Sequence, residues 1–364
     1  MMRSTYLTML LSLCGLCLAF TMAVNFVVDP MHYYHQPWFK IGFSENQRFQ
    51  NPGLARTADY DIVVIGTSHT EPFTTADMDQ KLGGKSLNLS MSGALIVEQR
   101  LLLEVVLEAS KAKRVLWEIN YRSFSLGDQI SQPESFPSFL FRAGVETPFR
   151  YLMSWETLTE SFSALSNRRV ADLDDLHRWD LDSEFGEERV MAHWDFLGKR
   201  WNDELRDVWR KYEVSDRKLA ELVEHEVMGI IRKHPDVQFD LLFLPSSMMD
   251  YVSDFQISAD QHMKRMALRR EIAAQSDNME NARLWDFQLV DWMSHDLAHY
   301  KDVEHFDQQV IQAVLSDLAS GEHRVSAEQL ASDTERLEQD ILDFSRQFCR
   351  SNTDRCQPAL RENL

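Results

Sequence analysis

Positive charge is scarce in this 364-residue sequence. It contains 38 Lys and Arg residues against 57 Asp and Glu, which gives a formal net charge of −19. A surface this acidic repels the phosphates of nucleic acids and of anionic lipids, so we expect no nucleic-acid partner and no charge-driven docking on a membrane. The excess of carboxylates is typical of an exported domain that must stay soluble.

Cysteine is also sparse, with four residues that form two pairs along the chain. Cys14 and Cys17 lie in an apolar stretch, and a leucine precedes each where a lipoprotein signal needs a small residue. Cys349 and Cys356 lie in a polar segment near the carboxyl terminus. In an exported protein this spacing predicts a local disulfide, and two free thiols are the alternative. No group of residues has a recognisable metal-ligand spacing, so we expect no metal and no cofactor.

One long uncharged segment, Tyr6–Val28, is apolar enough to cross a bilayer as a helix. Arg3 precedes it and Asp29 follows it, which favours a cytoplasmic amino terminus. A cleaved signal peptide is the alternative, but the segment is longer than a usual signal and no small-x-small cleavage site follows it. We therefore expect a single-pass anchor in the inner membrane, with the remaining chain in the periplasm or outside the cell.

After the anchor, short apolar runs alternate with helical patterns. Five runs predict strands, namely Asp61–Gly66, Leu87–Met91, Arg114–Ile119, Phe239–Leu244 and Arg283–Phe287. Helical spacing of apolar residues covers Ile96–Ala112 and Asp302–Leu318. Strands and helices in this succession predict an α/β fold, in which helices cover both faces of a parallel sheet.

Residues 121–235 interrupt this alternation and are too long for a bare loop. We predict a helical insertion or cap there, within an α/β domain of residues 31–325 that lies between an anchor (1–30) and a carboxyl-terminal helix and tail (326–364). The insertion contains five tryptophans, which would be core anchors or line a carbohydrate or lipid surface: Trp155, Trp179, Trp194, Trp201 and Trp209.

Ser68 follows the first predicted strand, in the sequence Gly66-Thr67-Ser68-His69. Ligands of doubly wound sheets bind at the carboxyl ends of the strands, and a serine there can attack an acyl carbon when a base takes its proton. The alternative is that Ser68 caps a following helix, whose backbone amides would point at the same place.

A late Asp-x-x-His motif, Asp296 and His299, follows the fifth predicted strand and should return to the same edge of the sheet. The carboxylate would hold one ring nitrogen while the other faces Ser68. His295 and His305 are alternative bases, and His305 ranks lower because it falls in the helix predicted from residue 302. His69 should point away from its neighbour.

An acyl-transfer site also needs hydrogen-bond donors for the developing oxyanion. Three candidates lie at the ends of predicted strands: the backbone amide of Ser68, the backbone amide of Gly93 and the side-chain amide of Asn120. A simple turn at Gly93 and a strand-end cap at Asn120 are the alternatives.

The order Gly-x-Ser, Gly, Asn and Asp-x-x-His resembles the SGNH (GDSL-like) hydrolase and acyltransferase superfamily. The resemblance implies a flavodoxin-like, three-layer sheet, with Ser68 as nucleophile, Gly93 and Asn120 as oxyanion donors, and Asp296 and His299 completing the triad. Thr67 stands where this superfamily has aspartate. With its anchor, the chain is similar to the exported branch that includes the alginate O-acetylation and DltD-type proteins.

This resemblance implies acyl transfer outside the cytoplasm, most simply O-acetylation or deacetylation of an envelope or secreted polysaccharide. The expected partners are the membrane, a polysaccharide or other acyl acceptor, and a membrane-bound protein that supplies the acyl group. An exported esterase or lipase with the same triad is one alternative. A catalytically silent envelope scaffold that binds polymer is the other.

Overall fold

A computed structural model describes residues 2–142, 144, 147–166, 172–176, 178–200 and 214–356. Trp201 and Trp209 lie outside these ranges. The chain forms two compact units. The first contains residues 1–59, 101–111 and 134–177, and the second contains residues 60–100, 112–133 and 178–364.

The strands are β1 (Ile62–Ile65), β2 (Ser86–Asn88), β3 (Arg114–Glu118), β4 (Gln238–Phe243), β5 (Ala282–Asp286) and β6 (Arg324–Val325). The helices before β4 are α1 (Met2–Val28), α2 (Gln47–Thr57), α3 (Thr75–Leu82), α4 (Ile96–Glu108), α5 (Tyr121–Phe124), α6 (Ser138–Phe141), α7 (Thr147–Leu152), α8 (Trp155–Leu165), α9 (Glu187–Arg200), α10 (Asp216–Leu222) and α11 (Gly229–Lys233). A π-helical turn, Val223–Met228, joins the last two. The later helices are α12 (Met248–Ile257), α13 (Ala259–Ser276), α14 (Asp291–Ser294), α15 (Gln308–Ser320) and α16 (Ala327–Ser351).

The second unit contains a six-stranded sheet in the order β2-β1-β3-β4-β5-β6. All pairs are parallel except β5 with β6. The predicted α/β fold with a parallel sheet is therefore confirmed. Strand order reverses between β1 and β3, and such a switch point opens a crevice at the carboxyl ends of the two strands.

Helices cover both faces of this sheet, as adjacent residues of β3 show. Leu116 is fully buried in a core that includes Val310 and Ile311 of α15. Trp117 is also fully buried, and its indole Nε1 donates a hydrogen bond of 2.8 Å to Gln99 Oε1 of α4. Successive strand side chains point to opposite faces, so these two contacts identify a helical layer on each side.

In the first unit, the segment Thr5–Val28 of α1 is long and apolar enough to cross a membrane, a property that signal sequences share. Its residues from Thr5 to Phe20 are exposed, and burial begins in the last two turns.

Near the other end of the chain, a disulfide joins Cys349 and Cys356 at the end of α16. Cys14 and Cys17 are free thiols on the exposed part of α1.

Candidate active site

The chain turns sharply after β1, and Ser68 lies in this turn. The prediction of a helix directly after Ser68 is wrong. Helix α3 begins only at Thr75, and Thr74 caps it. Residues between them form turns closed by hydrogen bonds from Thr70 N to Thr67 O and from Phe73 N to Thr70 O. Ser68 therefore does not cap a helix, and its half-buried side chain is available for other contacts.

Ser68 contacts a histidine that is distant in sequence. Its Oγ lies 2.7 Å from Nε2 of His305. Nδ1 of the same ring lies 2.8 Å from Oδ2 and 3.0 Å from Oδ1 of Asp302. With Nδ1–H donating to the carboxylate, Nε2 is left to accept the hydroxyl proton. The three side chains form a Ser-His-Asp arrangement by geometry.

Asp302 is held in its charged form. Burial alone would raise the pKa of its carboxyl group, but the hydrogen bond from His305, with those from the backbone amides of Glu304 and His305, brings the pKa well below its usual range. A carboxylate here favours the ring tautomer of His305 that carries its proton on Nδ1, and it would stabilise the ring if Nε2 took up a second proton.

The predicted partners Asp296 and His299 lie elsewhere, so their assignment to the triad is corrected here. Asp296 is more than half exposed and caps the short turn Leu297–His299 through the amide of Ala298. Nδ1 of His299 bonds Asp307 Oδ2 at 2.9 Å, and its Nε2 is 3.9 Å from Asp296 Oδ2. Both ring nitrogens thus face carboxylates. His295, the other alternative, faces Asp291 and Asp340.

The sequence carried a signal for the observed pair, since Asp302 and His305 repeat the same Asp-x-x-His spacing. His305 ranked lower because a helix was predicted from Asp302, and Asp302 was missed as its partner. That start is wrong: α15 begins at Gln308, where the side chain of Asp307 caps the amide of Val310. The segment before it is a loop, which frees both side chains to face the serine.

Residues 300–306 form this loop, which we call the triad loop. A β-bridge between Tyr300 and Phe306 closes it at its base. Val303 O accepts a hydrogen bond of 2.5 Å from Ser247 Oγ. Glu304 Oε2 lies 3.1 Å from Nε of Arg122, just beyond β3, so contacts from two neighbouring strand ends hold the loop.

Glu118, the last residue of β3, holds the residues on both sides of Ser68. Its Oε2 accepts hydrogen bonds from the Thr67 amide at 2.6 Å and the Thr67 hydroxyl at 2.9 Å, while Oε1 lies 2.7 Å from Nδ1 of His69. Gly66 permits this approach, because a Cβ there would lie 2.7 Å from Glu118 Oε2. The turn that presents Ser68 is thus fixed by a side chain of the neighbouring strand.

His69 and Glu118 form a buried charged pair. Burial alone would lower the pKa of His69, but Glu118 outweighs this effect and raises the pKa to about 9. Conversely, burial would raise the pKa of Glu118, whereas His69 and Thr67 lower it below its usual range. This pKa predicts that His69, next to Ser68 in sequence, is protonated at neutral pH; its ring lies 5.2 Å from that of His305.

Trp179, which belongs to the predicted insertion, contacts both Ser68 and His305. Its Nε1 donates a hydrogen bond of 2.9 Å to the carbonyl of Ser68, and its ring meets that of His305 edge to face at 5.0 Å. The ammonium of Lys301 lies 3.8 Å from the centre of the indole ring. Of the other tryptophans, Trp194 is buried in the core and Trp155 is 73% exposed.

The predicted oxyanion donors differ in what the structure shows of them. The backbone amide of Ser68 donates to no other group within the described part of the chain. Gly93 lies in an exposed turn with φ of 59°, two residues beyond the hydrogen bond from Met91 N to Gly66 O. The side-chain amide of Asn120 lies 3.2 Å from Glu118 Oε1, and its oxygen caps α5. Oxyanion binding stays a prediction for all three.

No protein-family model matches this sequence, and a comparison with curated proteins finds no similar one. The site is therefore interpreted from its own geometry. Among the described residues, no group of three His, Cys, Asp or Glu side chains could hold a metal ion.

Proposed function

We propose that this chain is a serine acyltransferase or esterase of the SGNH type, anchored in the membrane and acting outside the cytoplasm. The contact that carries the proposal is the 2.7 Å approach of Ser68 Oγ to His305 Nε2, with Asp302 on the opposite ring nitrogen. A base at this distance can remove the hydroxyl proton as the oxygen attacks.

The proposed reaction has two halves. Ser68 Oγ attacks the acyl carbon of an ester, its proton passes to His305 Nε2, and the leaving alcohol takes that proton as the ester bond breaks. An incoming hydroxyl then gives its proton to His305 and attacks the acyl-serine; as the bond from the acyl carbon to Ser68 Oγ breaks, His305 returns the proton to Oγ. The free amide of Ser68, with Gly93 and Asn120 as predicted further donors, would stabilise the oxyanion in both halves.

The favoured acceptor is a hydroxyl of an envelope or secreted polysaccharide, which makes the reaction an O-acetylation or its reversal. The support is the combination of a serine site, the apolar α1 and a strongly acidic chain. Whether sugar or water takes the acyl group depends on how well the site excludes water.

Labelling with a fluorophosphonate tests the nucleophile. The full-length protein in detergent should form a covalent adduct at Ser68, and Ser68→Ala should lose it. Ser92→Ala is the matched control, since it removes an exposed serine from the turn after β2 and should label like the parent. Equal labelling of Ser68→Ala would refute the assignment, and an unreactive parent would favour the silent scaffold.

A partition experiment separates transfer from hydrolysis. The protein is given an aryl acetate as acyl donor, with and without an oligosaccharide acceptor, and acetate and acetylated sugar are both measured. A transferase should divert product to the sugar as acceptor is added. Product that stays entirely acetate would identify the exported esterase instead.

A further inference from the structure

Helix α8 of the first unit packs against the end of the apolar helix α1. The side chain of Asn25, the last strongly polar group on α1, is fully buried in this contact. Its Nδ2 donates to the carbonyls of Leu152 at 2.9 Å and Ser154 at 3.2 Å, and its Oδ1 accepts from Ser161 Oγ at 3.1 Å. These bonds fix α8 at the level of Asn25 along α1.

The length of α1 then gives the depth of α8. A helix rises about 1.5 Å per residue and a bilayer core is about 30 Å thick, so about 20 residues cross it. Counted from Thr5, where the apolar segment begins, the crossing ends at Val24. In the anchored protein proposed above, Asn25 therefore lies at the outer boundary of the core, and α8 lies beside it at the level of the lipid headgroups.

The outward surface of α8 is divided into two sides. Trp155 and Phe162, seven residues apart, share one side with Leu165, and their side chains are 73%, 54% and 49% exposed. We call these three residues the apolar stripe. Glu156 and Glu160 lie on the other side, about 100° or more around the helix from Trp155. This division is typical of a helix that lies in a membrane surface.

We propose that the apolar stripe inserts into the outer leaflet of the membrane that α1 spans, so that α8 is a second membrane contact. Trp is favoured at this level because its ring body is apolar and the indole N–H reaches the headgroups, and Phe and Leu are typical of the apolar face of such a helix. Phe149 and Met153, just before α8 in the sequence, are also exposed, at 56% and 45%. The carboxylates of Glu156 and Glu160 would stay on the aqueous side.

A lipid occupant follows from position as well as from composition. The stripe belongs to a helix that is hydrogen-bonded to the last turns of α1, so it cannot leave the membrane surface while α1 stays inserted. An apolar surface held at this depth meets lipid before it meets a soluble protein. The main competing occupant is a second copy of this chain in the same membrane.

Site-directed fluorescence tests the proposal on the full-length protein. Cys14→Ser and Cys17→Ser remove the free thiols of the described chain, and Phe162→Cys or Glu156→Cys then introduces one position for a bimane label. In phosphatidylcholine vesicles that contain doxyl-labelled lipid, bimane at position 162 should lose most of its fluorescence. The matched label at position 156, on the acidic side of the same helix, should keep it.

Three results would overturn the proposal. One is equal and weak quenching at positions 156 and 162, which places the stripe in water. Another is a disulfide-linked dimer of unlabelled Phe162→Cys at low protein-to-lipid ratio, which identifies a second copy as the occupant. The last is an intact mass that lacks α1 after expression in cells, since the depth argument requires a retained helix. Near-ultraviolet circular dichroism of each variant verifies the fold.

Discussion

Two Asp-x-x-His motifs lie six residues apart in this chain, and the structure uses them differently. In the first, the Asp296 carboxylate is 56% exposed and lies 3.9 Å from the His299 ring. In the second, Asp302 is 18% exposed and lies 2.8 Å from the His305 ring, whose other nitrogen faces Ser68. Equal spacing in sequence therefore produces one surface contact and one hydrogen-bonded pair.

The difference comes from the backbone between the two residues. Leu297–His299 is a turn of 3₁₀ helix, and the carboxylate of Asp296 caps that turn by accepting a hydrogen bond from the amide of Ala298. The triad loop has no helical turn of this kind, and Asp302 binds the amides of Glu304 and His305 while also reaching the ring. A carboxylate that is held by several hydrogen-bond donors can orient a histidine ring. At an exposed carboxylate, water competes with the ring for the oxygens.

The largest effect should separate the two histidines. His305→Ala should reduce the rate of acylation of Ser68 by about 10⁵-fold or more, because the hydroxyl loses the base that contacts it. His299→Ala should leave the rate close to that of the parent. Stopped-flow measurement of acylation by an aryl ester gives both rates, and a larger loss in His299→Ala would reverse the comparison.

The two aspartates should differ by somewhat less. Asp302→Asn should lower the acylation rate by about 10⁴-fold, because an amide stabilises the wrong tautomer of His305. Asp296→Asn retains the turn cap and should have little effect. The pH dependence of the acylation rate distinguishes a positioning role from loss of fold: Asp302→Asn should change the shape of this profile, and Asp296→Asn should not.

The pair of His69 and Glu118 extends the comparison to full burial. Glu118→Gln should destabilise the protein by about 3–5 kcal/mol, because it leaves the buried His69 without its counter-charge and weakens the turn around Ser68. Glu335→Gln, on the exposed side of α16, is the control and should change stability by less than about 0.5 kcal/mol. Urea unfolding measures both, and equal midpoints would contradict the buried-pair interpretation.

The smallest effect is a pH dependence of stability. The pKa of His69 rises from 6.5 to about 9 on folding, so its contribution is complete below pH 6.5 and is lost as the pH rises through 9. Between pH 7 and pH 10 the free energy of unfolding should fall by about 1–3 kcal/mol more in the parent than in His69→Gln. Parallel pH profiles would show that His69 is neutral in the folded protein.

The five parallel strands could be predicted from the sequence, because strands buried on both faces are continuous apolar runs. The run Arg114–Ile119, for example, became β3 with one residue fewer. The two-residue antiparallel β6 has no such run and was missed. The helix predicted from Asp302 failed at its start, since apolar residues on either side of Asp307 continue a helical period that the cap at Asp307 interrupts. The spacing of apolar residues alone therefore does not locate the first residue of a helix.

The candidate site was predictable only in part. Ser68 followed from the strand before it, but the choice of histidine depended on loop geometry that spacing does not encode. Glu118 was missed because a glutamate that ends a buried strand gives no catalytic signal of its own. Its role arises from the parallel register that places β3 beside β1 and from the missing Cβ at Gly66, which lets the Glu118 carboxylate approach the turn.

The β-bridge between Tyr300 and Phe306 closes a single loop that carries both Asp302 and His305. Asp302 and His305 would keep their mutual geometry if the triad loop shifted as a whole, while the distance from His305 to Ser68 would change at once. The proposed activity would then depend on the contacts of Arg122 and Ser247 that hold the triad loop in place. The hydrogen bond between Asp302 and His305 would not change. Ser68 lies on a separate segment, the turn after β1, so one movement of the triad loop would change its distance to Asp302 and His305 together.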